Sequence, residues 1–198
     1  MEYWMIILIG LPVLYMTGSL RKSVTNAGVS SAAFVLFFLC AAVLTLLGPV
    51  RVAKNISINI AGAFVCLAPM AYLVSKKRLH YSFFVAAVFV LAAGATAVLL
   101  RGSYTIAFLP YLVGVVIVAA ALMSGRVYAP VYAPALMGVY TIVSCGIETG
   151  IRAVGRVVWF DCIGVAMVSI CVCLIASYTL VRLWEKREEH RPVSAADR

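Results

Sequence analysis

The sequence predicts an all-α, polytopic membrane helix bundle of about seven transmembrane helices, N-terminus outside and C-terminus inside. Three observations predict it. Of 198 residues, 65% are hydrophobic and 12% charged, and the mean hydropathy is +1.08. A soluble domain carries about 45–50% apolar and about 25% charged residues. The charges here are confined to short segments between long apolar runs, and runs such as Phe34–Leu39 and Val113–Leu122 do not alternate. A transmembrane barrel, which needs alternation, is therefore excluded. The net charge of +9 reads as topology information, because a nucleic-acid footprint needs a basic face on a soluble fold.

A helical span takes about 20 apolar residues, since each residue rises about 1.5 Å through a hydrocarbon core of about 30 Å. Seven stretches qualify: Tyr3–Leu20, Val29–Val50, Ile56–Val74, Tyr81–Leu100, Tyr104–Met123, Pro130–Ile147 and Phe160–Val181. The first follows Glu2 and precedes Arg21-Lys22, the polarity of a retained helix and the reverse of a cleaved signal. With the N-terminus outside, the inside segments hold 11 basic residues and the outside segments five. That is the asymmetry of the positive-inside rule. Residues 1–181 then form one transmembrane domain, and 182–198 a charged cytoplasmic tail of mixed sign. A prokaryotic inner (cell) membrane is the expected location. Membrane lipids are the expected partners, with other membrane subunits or a homo-oligomer beside them, and nucleic acid is not.

Few polar groups interrupt the spans, and intramembrane ionisable residues are functional candidates by default. Glu148 closes the sixth span and Asp161 opens the seventh. Antiparallel neighbours bring both to one membrane boundary, where two facing carboxylates can share a proton as general acid and base. A structural role is open too. Glu148 precedes Arg152 by four residues in the favourable order, and Asp161 suits a helix start. Asn59 falls within the third span beside the small residues Ser57, Ala61 and Gly62, as interhelical glue or as a binding residue.

Val127-Tyr128-Ala129-Pro130 repeats at once as Val131-Tyr132-Ala133-Pro134, placing both tyrosines and both prolines on one helical face. Pro134 must bend the helix, and broken helices line transporter sites. Tyr132 and Pro134 therefore join Asn59 as candidate binding residues. Gly146 and Gly150 make a G-x-x-x-G around Glu148 that suits close helix approach. Six cysteines without a C-x-x-C pair, and two histidines outside the spans, suggest packing and imply neither metal nor cofactor.

Asn59-Ile60-Ala61-Gly62-Ala63 followed by Tyr72, together with Phe160-Asp161, resembles a family of small archaeal and bacterial multi-pass membrane proteins. That family is catalogued as domain of unknown function sixteen-fourteen, and the resemblance spans roughly residues 8–181. Ala61 stands at the first motif glycine, and Pro69 one turn after the expected proline position. The resemblance implies a membrane architecture and no activity. Trp159-Phe160-Asp161 is also faintly similar to the Gly-x-Gly-Asp of intramembrane aspartyl proteases, but a second aspartate of that type is missing. The expected function is a small permease-like carrier or membrane-complex subunit. The alternative is an intramembrane aspartyl-type acid/base hydrolase using Glu148 and Asp161.

Overall fold

The computed structural model describes residues 3–18, 20–101, 109–124, 127–151 and 157–189. Eight helices and three short strands occupy them: α1 (Tyr3–Met16), α2 (Arg21–Asn26), α3 (Ser31–Thr45), β1 (Pro49–Ala53), β2 (Ile56–Asn59), α4 (Ile60–Ser75), α5 (Tyr81–Arg101), α6 (Leu109–Ser124), α7 (Ala129–Ile151), β3 (Val157–Trp159) and α8 (Ile163–Glu189). The fold is predominantly helical, as expected. Each long helix overlaps one of the predicted apolar runs, because a run with few turn residues satisfies its own backbone groups as a helix.

Three short strands are an addition to the helical expectation. Ile56–Asn59 is strand, not the first turn of a span, and pairs antiparallel with β1 and parallel with β3. Gly48, at φ +62°, ends the preceding helical segment. The sheet is confined to one end of the bundle, where every β1 residue is exposed. An edge strand is tolerable there because water can satisfy its free N–H and C=O groups.

Other boundaries move as well. The first predicted span ends at Met16, and α2 follows as a separate short helix with Ser23 and Val24 buried. Phe160–Cys162 is a turn ahead of α8, whereas Glu148 lies inside α7, which continues to Ile151. The predicted tail begins within α8, which runs on to Glu189. The beginning of the fifth predicted span lies outside the described residues. Two helical segments, Ala129–Gly150 and Ile163–Leu180, are long and apolar enough to cross a membrane.

α7 is the central helix. Every residue from Ala129 to Gly138 is buried, and α4, α5, α6 and α8 pack around it. Gly138 lets α4 approach, since a methyl there would sit 3.2 Å from the Cys66 Cβ. The connections gather at two ends. One is the sheet end just described. At the other, here the basic end, Tyr15 meets Ser31, Tyr72 donates to the Gly28 carbonyl (2.6 Å), and Ser82 donates to the Ser124 carbonyl (2.7 Å). α3 and α7 therefore run from the basic end to the sheet end, and α4 runs back.

Candidate functional site

The sheet end brings together the two motifs on which the family resemblance rests. Asn59 is the N-cap of α4: its side-chain oxygen accepts from the Gly62 N–H at 3.1 Å. The cap satisfies one of the four N–H groups that a helix start leaves unpaired. Asn59 thus stands at the head of the helix, not within it. Gly62 in turn lies under the Phe160 carbonyl so closely that any Cβ would overlap the oxygen. The small face of Ser57, Ala61 and Gly62 is indeed buried, but at Gly62 it receives the backbone of a turn. Phe160 adopts φ +61°, a left-handed conformation uncommon for a non-glycine residue, and its ring is buried.

Behind this turn lies a knot of thiols. Cys66 on α4 and Cys162 before α8 place their sulfurs 3.9 Å apart, and Cys162 lies 3.1 Å from the Thr141 hydroxyl of α7. Thr141 already donates its one proton to the Met137 carbonyl at 2.8 Å, so the Cys162 S–H is the donor toward Thr141. Trp159 closes the corner by donating its indole N–H to Thr149 at 3.2 Å. Among the described residues no cluster of three His, Cys, Asp or Glu side chains could hold a metal ion.

Around this corner Glu148 is half-buried on α7, one turn from Cys145, and Asp161 is exposed at the tip of the turn. Arg152 and Arg156, the cations nearest to both in sequence, lie outside the described residues. The G-x-x-x-G face is not used as expected. A methyl at Gly146 or Gly150 meets nothing within 4 Å, so no described helix packs there.

The basic end is built differently. The two tyrosines of the repeat stack at 6.0 Å; Tyr132 is fully buried and donates to the Arg78 carbonyl at 2.9 Å. The Arg78 guanidinium lies 5.3 Å over the Tyr128 ring and donates to the Ala27 carbonyl at 3.1 Å. Gly28 makes room for it, at φ +73° and with no space for a side chain beside the guanidinium. Tyr132 is accordingly a structural pillar of this end, joining α7 to the α4–α5 connection.

Above that clasp is a cavity of about 350 Å³ bounded by α2, α3, α4, α7 and α8. Its walls are hydrocarbon apart from Cys40 and Tyr72, and they include Pro69, Pro130 and Pro134. Pro134, a candidate binding residue from the sequence, is thus placed on a cavity. Pro69 and Pro134 lie inside their helices, and neither can donate to the carbonyl four residues earlier. The wall opens sideways at α3, where Leu36 lines the cavity and is 62% exposed. Sequence reasoning missed the cavity because it arises from the packing of five helices; its one local signal was the prolines.

No protein-family model, curated protein or solved structure matches the chain.

Proposed function

We propose that the chain is a seven-span membrane protein of the prokaryotic cell membrane, N-terminus outside and C-terminus inside. In this reading it acts as a non-enzymatic carrier for an apolar or amphipathic compound. The cavity carries the functional reading. Ligand sites are mostly apolar clefts of about 300–1,000 Å³, and this one is within that range, with a side opening and two proline-interrupted helices in its wall.

Support for the membrane setting comes from the exterior. Large apolar side chains are exposed on nearly every helix, among them Ile6, Leu36, Phe89, Val115 and Ile175. Water-soluble monomers rarely expose contiguous apolar patches beyond a few hundred Å². The alternating connections suit an up-and-down bundle, and the basic end corresponds to the predicted inside. The resemblance to domain of unknown function sixteen-fourteen is part of this proposal, as its two motifs meet at Gly62 and Phe160.

Two experiments test the reading. Cysteines introduced at Lys54 and Lys76 report orientation in right-side-out vesicles. Lys54→Cys is expected to react with an impermeant maleimide directly, and Lys76→Cys only after permeabilisation; the reverse pattern overturns the orientation. For the carrier role, proteoliposomes should move a fluorescent acyl amphiphile across the bilayer faster than protein-free vesicles. Ala68→Phe, which fills the cavity, should remove the excess. Equal rates in all three preparations overturn it.

A further inference from the structure

Two connections of the basic end, residues 17–30 and 76–80, carry Arg21, Lys22, Lys76, Lys77 and Arg78, while the last turns of α8 mix Lys186 and Arg187 with Glu185, Glu188 and Glu189. Arg78 binds the carbonyl of Ala27, a cavity-lining residue, and Tyr72, another, binds the carbonyl of the next residue, Gly28. The positive end is therefore contiguous with the apolar wall.

Lys77 adds a second observation. It follows the α4 C-cap at φ +51°, with its N–H on the Val74 carbonyl and the Arg78 N–H on the Leu73 carbonyl. This is the Schellman pattern, in which the left-handed position is usually glycine because a Cβ is strained there. Here a lysine holds it, exposed and beside Arg78.

We propose that the cavity holds one acyl chain of an anionic phospholipid, with its headgroup phosphate against Arg78 and Lys77. The proposal rests on the carrier reading and names its ligand class. The shape supports it. A dry cavity of about 150 Å³ accepts benzene. One of about 350 Å³ has room for on the order of a dozen carbons by the same proportion. Only a hydrocarbon suits walls with so few polar atoms, and the opening at Leu36 leaves the second chain in the bilayer. The headgroup is selected by charge. Anionic lipid attracts basic segments at about 1 kcal/mol per cation near the surface. Two cations accordingly predict an anionic preference of roughly 10–30-fold at that strength.

Native mass spectrometry of the full chain in nanodiscs, containing phosphatidylglycerol and phosphatidylethanolamine at equal amounts, tests this directly. One phosphatidylglycerol per protein is expected to survive release, at least tenfold over phosphatidylethanolamine. Ala68→Phe should abolish retention of both. Arg78→Gln should cut the preference several-fold, and Lys77→Gly does the same test in a variant whose backbone is relaxed by the change. Equal retention of the two lipids in the unmodified protein, or an unchanged preference in Lys77→Gly and Arg78→Gln together, overturns the headgroup assignment. Retention unaffected by Ala68→Phe overturns the tail assignment. Amphiphile transport without retained phospholipid sinks the ligand and leaves the carrier, whereas retention without transport sinks the carrier and leaves the site.

Discussion

The two ends of the bundle solve the same problem, joining helices that run in opposite directions, with different materials. At the sheet end backbone meets backbone: β2 and β3 pair in parallel, and the Phe160 carbonyl rests on Gly62. At the basic end side chains reach for carbonyls, Tyr72 to Gly28, Arg78 to Ala27 and Tyr132 to Arg78. The first end is closed at Gly62, where even a methyl would overlap the Phe160 carbonyl. Side-chain bridges span a distance, so the second can surround a void. The tight contact and the cavity are thereby centred on different parts of α4.

The largest effect that can break this contrast comes from one methyl group. Gly62→Ala puts a Cβ onto the Phe160 carbonyl oxygen, and neither backbone can yield without moving the sheet. The expected cost is about 3 kcal/mol, the upper end of overpacking penalties. Gly146→Ala, in open space on α7, is expected to gain about 0.5–1 kcal/mol from helix propensity. Thermal unfolding of both variants in detergent decides it; equal midpoints show the sheet end to be looser than described.

A smaller effect concerns Asn59. As an N-cap it contributes about 1 kcal/mol, which Asn59→Ala removes and Asn59→Ser restores. If the residue only caps, transport per folded molecule stays constant across both variants. Loss of transport in the well-folded serine variant would return Asn59 to the binding residues.

These cases show what the sequence makes legible. Helices are visible because the long apolar runs carry few turn residues to break them. The sheet is hidden because Val50-Arg51-Val52 and Ile56-Ser57-Ile58 alternate for too few residues and abut an apolar run. Asn59 ahead of that run is an ordinary helix-start signal, masked when the span is begun at Ile56 to reach membrane length. Small-residue spacing marks Gly62 and Gly146 alike, yet of these two Gly62 alone has a neighbour within 4 Å to admit. Pairing partners and voids depend on residues distant in sequence. The thiol contact of Cys66 with Cys162 and the cavity were for that reason out of reach.

The smallest expected change in stability sharpens the contrast most. Ala61 is buried at the sheet end and Ala68, two turns along α4, lines the cavity. Ala61→Leu adds volume at a buried position and is expected to cost about 1–3 kcal/mol. Ala68→Phe adds more volume, but into empty space, where newly buried apolar surface offsets the lost freedom of the ring. Cavity filling of this kind commonly ranges from neutral to about 2 kcal/mol stabilising. At about 2–4 °C per kcal/mol for a chain of this size, Ala61→Leu should lower the midpoint by several degrees and Ala68→Phe should not lower it. A loss in Ala68→Phe as large as in Ala61→Leu would mean that no usable space exists at the basic end, and the division of labour along α4 would fall with it. A stable Ala68→Phe protein that neither retains phospholipid nor transports amphiphile would separate the two ends by function as well as by construction.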